Sequence, residues 1–363
     1  MQRSGLTAVV ALITLALPAL GATAASLPTP VPTIFTIRSL EPQPGDTVGG
    51  ASGLNNWGDA AGSAFNRPAL FANHLVLPLP GLTAENPMLT YGGAAAINDQ
   101  GVAAGYLYGD PSGIAHAAAF TPQGTIDLGT LPGGVDSYAT AINNRGEIVG
   151  FADNGQDNAN FADHAVRFAG SVAVDLGVLQ AGGSSYAAAV NDLGVIVGYA
   201  TFGDGGTHAV SFVNGQVIDL GVPAGGFLSF AYGINNLGQT VGSADFGGGP
   251  THAALFQNGT LTDLGVLPGT DNCNAVAINN HSQAVGYCED RVGNQHPVLF
   301  AEGQVIALPF LPGTANAMPA AINDEGQIAG MAILPNDNPR ALPQTVAVLW
   351  TPGASFGLPG RGP

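Results

Sequence analysis

The chain has 363 residues with 54 Gly and 26 Pro, only 9% charged residues, no lysine, and eight arginines against 25 Asp and Glu. A formal net charge of −17 leaves too few cations to neutralise phosphate, which excludes nucleic-acid binding and disfavours anionic membrane surfaces. So much Gly and Pro suits short strands joined by tight turns rather than long helices, and the lack of a three-residue glycine period excludes collagen.

Residues 1–24 read as a secretory signal peptide. Arg3 supplies the positive start, Leu6 to Leu20 forms the apolar run, and Ala22-Thr23-Ala24 is a small-x-small cleavage site. The run is too short to span a bilayer comfortably, and no other stretch of about 20 apolar residues follows. No Cys follows the cleavage site, so no lipid anchor is expected. The expectation is an exported chain, extracellular or periplasmic, with no membrane insertion.

From residue 33 to 358 one unit recurs, followed by a short tail, 359–363. Its signature is small-aliphatic-Asn-[Asn/Asp]-x-Gly-x-x-x-Gly, with the first Asn at 55, 98, 143, 191, 235, 279 and 323, Ser282 standing in place of the first Gly in the copy at 279. Successive separations are 43, 45, 48, 44, 44 and 44, and every copy has Gly seven residues after the Asn. Ile142-Asn143-Asn144-Arg145-Gly146 places turn formers between two strand-like segments, so the motif predicts a β-hairpin. A second hairpin follows, with His208–Phe212 and Val217–Gly221 flanking Asn214-Gly215. Counting back from that turn pairs Phe212 with Val217 and His208 with Gly221.

Four short antiparallel strands in about 44 residues, repeated seven times, predict a seven-bladed β-propeller, with a β-solenoid as the other repeat architecture considered. Thr36–Leu40 matches the fourth strand of a unit, and so does Phe356-Gly357-Leu358; the expectation is that the N-terminal strand closes the ring. The Ala-rich strand ending at the motif Asn then lies innermost, where small side chains fit the crowding around a channel.

These residues resemble the probable extracellular HAF-repeat family, named for a His-Ala-Phe tripeptide. The matching strings are His116–Phe120, His164–Phe168, His208–Phe212 and His252–Phe256, each beginning His-Ala, together with the Asp-Leu-Gly strand and the Ile-Asn-[Asn/Asp]-x-Gly turn. The third position departs, with Ala or Val in place of Phe, and His296 is followed by Pro297. The resemblance implies an exported repeat protein and supplies no catalytic residues.

Four of the histidines have Asp 11 residues on, at Asp127, Asp175, Asp219 and Asp263. A metal or acid–base role is one reading; a hydrogen bond repeated in each blade is the other. The second is preferred, because outer-strand residues of different blades are spread around a ring and cannot converge on one ion. The seven motif asparagines would ring one mouth of the channel, chiefly as Asx-turn formers. Cys273 and Cys288 flank the turn at Asn280-His281, where other units hold small residues such as Ser229 and Ala244. In an oxidising compartment that pattern favours a local disulfide, with free thiols as the alternative.

Length varies between the second and third strands of each unit, which places Asp110, Asp153, Asp157, Asp204, Asp245 and Asp290 on loops of one face. Loops that tolerate insertion on a rigid scaffold commonly carry function. No catalytic residues and no phosphate-loop, zinc or nucleophile-elbow motif are found, and no cofactor is expected, although Ca²⁺ bound by these loops is kept as a candidate. The expected function is a secreted, non-catalytic binding or scaffold module engaging an extracellular polysaccharide or protein. The alternative is a propeller-type carbohydrate-active hydrolase or lyase.

Overall fold

The computed structural model describes residues 34–40, 49–73, 75–81, 91–108, 114–155, 162–203, 205–247, 249–335 and 344–353. Residues 1–24, read above as a signal peptide, the C-terminal strand candidate Phe356–Leu358 and the tail lie outside them. The described residues contain no helix, so none is long and apolar enough to cross a membrane. They form seven four-stranded antiparallel sheets arranged as a β-propeller. We number the blades one to seven in chain order and their strands first to fourth from the channel outward. Blade three, for example, is Ser137–Ile142, Ile148–Asp153, Asp163–Phe168 and Ala173–Asp175.

Blade seven takes three strands from the C-terminal part, Asn316–Ile322, Ile328–Ile333 and Thr345–Pro352. Its fourth is Phe35–Ser39, antiparallel to Thr345–Pro352 with Ile37 opposite Trp350. Ring closure by the N-terminal strand is therefore as expected. Closing the circle removes the exposed inner edges that an open row of sheets would leave.

The apolar core is divided among the blade junctions. Seven buried clusters each draw on two adjacent blades, and one joins Ala329, Ala347 and Leu349 of blade seven to Ala51, Ala60 and Phe71 of blade one. In six first strands a buried alanine (51, 94, 139, 187, 231 and 275) occupies the crowded position four residues before the motif Asn. A β-bulge follows directly in every blade, as between Ala139 and Ala141, and sharpens the local twist.

The glycine seven residues after each motif Asn has a steric cause. A Cβ on Gly150 would collide with the carbonyl oxygen of Tyr138, and one on Gly198 with that of Tyr186. The first two strands approach too closely for any side chain there, and the same collision recurs at the other five copies. Asn214 and Gly215 both take positive φ, 51° and 76°, the values a two-residue hairpin turn requires. The turn sets Phe212 opposite Val217 as expected, but a bulge between Ala209 and Val210 places Ala209, not His208, opposite Gly221.

The motif asparagines tie the blades together. Each side-chain amide donates to the backbone carbonyl of the motif Asn in the next blade, from Asn55 to Asn98 and onward until Asn323 returns to Asn55, at 2.8–3.3 Å. Each amide oxygen accepts within its own turn, as Asn191 Oδ1 does from the N–H groups of Leu193 and Val195. A second circle runs alongside. The backbone N–H of the following residue donates to the side-chain oxygen of its counterpart one blade on, from Asn56 to Asp99 and around to Asp324 and Asn56, at 2.8–3.0 Å.

Asn191 is only 4% exposed, so Asn191→Ala leaves one carbonyl and two amide groups without their partners. The expected loss is about 2–4 kcal/mol of unfolding free energy, read from urea denaturation, against a near-zero change for Gln100→Ala on the exposed part of the corresponding turn of blade two. A loss below about 0.5 kcal/mol would mean that the circle contributes no stability.

Candidate functional site

The channel has two chemically different ends, because every first strand runs in the same direction. At the motif end, a cavity of about 200 Å³ is lined by three consecutive residues from each of the seven blades. Asp99, Asp192 and Asp324 place three carboxylates there. All are engaged: beyond the backbone donors above, Asp99 accepts from Asn56 Nδ2, Asp192 from Asn144 and Asn236, and Asp324 from Asn280. This end is a saturated polar collar.

The histidines lie far from it, on third strands. His116, His164, His208 and His252 each make an Nδ1 contact with Asp127, Asp175, Asp219 and Asp263, at 2.8–2.9 Å. Each of these aspartates also accepts the N–H of a glycine two residues on, Gly129, Gly177, Gly221 or Gly265. The pair thus fastens the third strand to the turn that leaves the fourth. His296 departs from this scheme and contacts Asp290 through Nε2 at 3.1 Å.

Of the acidic loop candidates, Asp110, Asp157 and Asp204 lie outside the described residues. The other three hold backbone. Asp245, 6% exposed, accepts from the N–H groups of Phe227 and Leu228 and so fixes the crossover into blade five. Asp153 accepts from Val135 and Gly155. Asp290 accepts from His296, Val292 and Asn294, and the His296 contact with these amides holds its carboxyl well below the usual carboxylate range. Among the described residues, no group of three or more His, Cys, Asp or Glu side chains is placed to hold a metal ion.

Cys273 and Cys288 lie directly opposite one another on the first two strands of blade six and are joined as a disulfide across 15 residues of chain. Ser229 and Ala244 occupy the same register in blade five. There the serine is a buried junction: Ser229 Oγ accepts the N–H of Ala209 and donates to the carbonyl of Gly221. Ser137 and Ser185 do the same at their own junctions.

The other end of the channel carries the feature that sequence reading missed. Tyr138 and Phe151 pair across the first two strands of blade three, and Tyr186 and Tyr199 pair in blade four. They belong to a run of ring contacts through Tyr108, Tyr106, Tyr138, Phe151, Tyr186, Tyr199 and Phe230 to Tyr232. Centroids along it stand 5.0–5.9 Å apart, the spacing of offset and edge-to-face aromatic pairs. The ladder therefore crosses blades two to five. The available signal was positional: Tyr138, Tyr186 and Phe230 stand five residues before a motif Asn, and Tyr106, Phe151 and Tyr199 follow the second motif Gly.

Five phenols of the ladder, Tyr106, Tyr138, Tyr186, Tyr199 and Tyr232, are pushed up from their ordinary value and stay protonated at neutral pH. Burial, and then the neighbouring Asp163, push the Tyr186 phenol up to about 12. Burial likewise pushes up Tyr106, Tyr138 and Tyr199. Tyr186 donates to Asp163 Oδ2 at 3.1 Å. Half-burial raises the Asp163 carboxyl above its ordinary range, the phenol hydrogen bond opposes that, and Asp153 and Asp136 reinforce it.

No family model matches the sequence, and no curated protein matches it. The chain is similar to solved structures of a streptogramin B lyase (11% identity, TM-score 0.49, covering 87% of this chain and 97% of that one) and of TolB from Acinetobacter baumannii (12% identity, TM-score 0.45, covering 69% and 63%). It is also similar to a puromycin-hydrolysing peptidase from Mycobacterium tuberculosis at 13% identity and TM-score 0.42, of which it spans about half, 48%, while 78% of this chain is covered. At these values the likenesses carry no argument about activity.

Because the folded state holds the Asp163 proton more tightly than the unfolded chain, this group's contribution falls as pH rises from the ordinary carboxylate range through the raised folded value. Asp163→Asn keeps an acceptor for Tyr186 and removes that loss. The variant is expected to match the parent at pH 3 and to exceed it at pH 7 by less than about 1 kcal/mol, solvent screening the half-exposed group. Urea denaturation at the two pH values is the measurement, and a variant less stable at pH 7 would refute this account.

Proposed function

We propose that this is an exported, non-catalytic binding module of the HAF-repeat type, and that its ligand is a neutral polysaccharide met at the aromatic end of the channel. The single observation behind the proposal is the ladder of eight rings across blades two to five. Aromatic faces joined to hydroxyls that stay protonated suit sugar rings, which present C–H faces and hydroxyl edges. The formal charge of −17 weighs against acidic polymers. The start of the chain and the His-Ala-x-x-Phe strings support export and membership of that family.

This reading moves the binding role expected of the acidic loops to the inner strands of the same face. Asp153, Asp245 and Asp290 have their oxygens on backbone amides, so they are framework rather than ligand groups. The same commitments give the carbohydrate-active enzyme no support from these three carboxylates.

Affinity electrophoresis through gels containing soluble neutral glucans, mannans, galactans and xylans tests the proposal. At least one should retard the protein, and Tyr138→Ala and Tyr186→Ala should each weaken that binding about tenfold, equivalent to about 1.4 kcal/mol. Retardation should persist in 0.5 M salt at about the same strength, as expected for uncharged contacts. Absence of retardation by every polymer, or full retention of it in both variants, would overturn the proposal.

A further inference from the structure

The layer that carries the ladder holds three small residues in succession at one place, and the gap they leave forms a cleft. In each blade the layer consists of two residues paired across the first and second strands. Blades three to seven supply Tyr138 with Phe151, Tyr186 with Tyr199, Phe230 with Ser243, Asn274 with Tyr287, and Met318 with Met331. Every one of these pairs contains at least one large side chain. Blade two has Gly93 with Tyr106, and blade one has Gly50 with Ser63. Three small residues in succession remove the rings from the junction of blades one and two.

The vacated volume is about 420 Å³, walled by Tyr91, Tyr106 and Tyr108 on one side and by Ser52, Ser63 and Asn66 on the other. Its walls are held by backbone. Tyr108 N–H donates to the Tyr91 carbonyl at 2.8 Å, and Gly92 N–H donates to the Asn66 carbonyl at 2.9 Å. Blade one joins its second and third strands by a tight turn, Phe65-Asn66, both at positive φ, so the connection between those two strands adds no long loop above the cleft. A Cβ on Gly93 would rest 3.6 Å from the Tyr106 ring, at ordinary contact distance, with space beyond. Gly50 is different, because its Cβ would press on Met331 at 3.2 Å.

We propose that this cleft is the subsite for one hexopyranose residue of a neutral glycan, seated where the ladder lacks its next rings. The proposal rests on the glycan-binding reading and specifies where on that face a sugar is held. The volume falls within the range of small-molecule sites, about 300–1,000 Å³. Among the described residues no charged side chain lines it, so an anionic sugar or a nucleotide phosphate finds no counter-charge there. Ser52, Ser63 and the hydroxyls of Tyr91 and Tyr106 are donors and acceptors that a hydrocarbon ligand could not engage, while Tyr108 is already hydrogen-bonded to Tyr138. A pyranose meets both demands, with one face against a tyrosine ring and its hydroxyls toward the serines.

Saturation-transfer NMR with the methyl glycosides of glucose, galactose and mannose, and with methyl glucuronide as the charged control, tests the assignment on the full chain. At least one neutral glycoside should receive saturation from the parent protein. Gly93→Tyr, which restores the missing ring, should weaken that binding at least tenfold, whereas Gly93→Ala should retain it. Ser63→Tyr fills the cleft from the opposing strand and gives the same reading should Gly93→Tyr not fold. Glycoside binding unchanged in the folded cleft-filling variant would overturn the subsite, as would glucuronide binding as strongly as the neutral sugars. In the first case, continued retardation in the polysaccharide gels would leave the broader reading standing. No saturation transfer and no gel retardation together would overturn both.

Discussion

One amide from each blade reaches the backbone of the next, and the circle of seven such hydrogen bonds is the constraint from which the remaining architecture follows. A sheet packed only through alanines and valines could slide or tilt against its neighbour at little cost, since apolar contact is not directional. The Asn clamp removes that freedom. Its donor has one acceptor in the next blade, the pair is buried, and displacement would strand polar groups in a dry environment. With the innermost strands fixed in height and angle, the residues five positions earlier are set into a common layer, and so the aromatic ladder exists.

The two ends of the channel thus have opposite chemical characters produced by the same strands. At one, side-chain and backbone groups are bonded to one another, which makes the collar rigid. At the other, rings with protonated hydroxyls stand partly open. Rigidity at the first end is what allows the second to present a preformed surface, and preformed surfaces lose less entropy when a ligand arrives.

Much of the fold was legible because its determinants are local. The run of turn residues in Ile142–Gly146 and the glycine at 150 mark a hairpin wherever they recur, and the recurrence itself gives the blade count. The count of fourth-strand candidates showed one too many, and the preference for the N-terminal one agrees with the pairing of Phe35–Ser39 with Thr345–Pro352. The reach of the Asn143 amide to Asn191 was not legible, because it joins residues 48 apart. The offset of one at His208 arises from the bulge at Ala209, which has no signature in composition. Asp245 and Asp290 read as free acidic loop residues, since sequence shows the carboxylate but not the amides that occupy it. The ladder escaped notice because Gly50, Gly93, Asn274 and Met318 break its regularity, although two of those departures, Gly50 and Gly93, belong to the gap that forms the cleft.

Blade seven is built from both ends of the chain, and this bears on the order of events during synthesis. The segment Phe35–Ser39 emerges from the ribosome first, yet its partner Thr345–Pro352 appears after about 300 intervening residues. Through that interval the early strand has its hydrogen-bonding edge open while the blades between are translated one by one. Completion of the circle is therefore a late, long-range event with a large loop-closure entropy. The clamp from Asn323 to Asn55 must form in the same step, so the last blade to be made is also the one that locks the first.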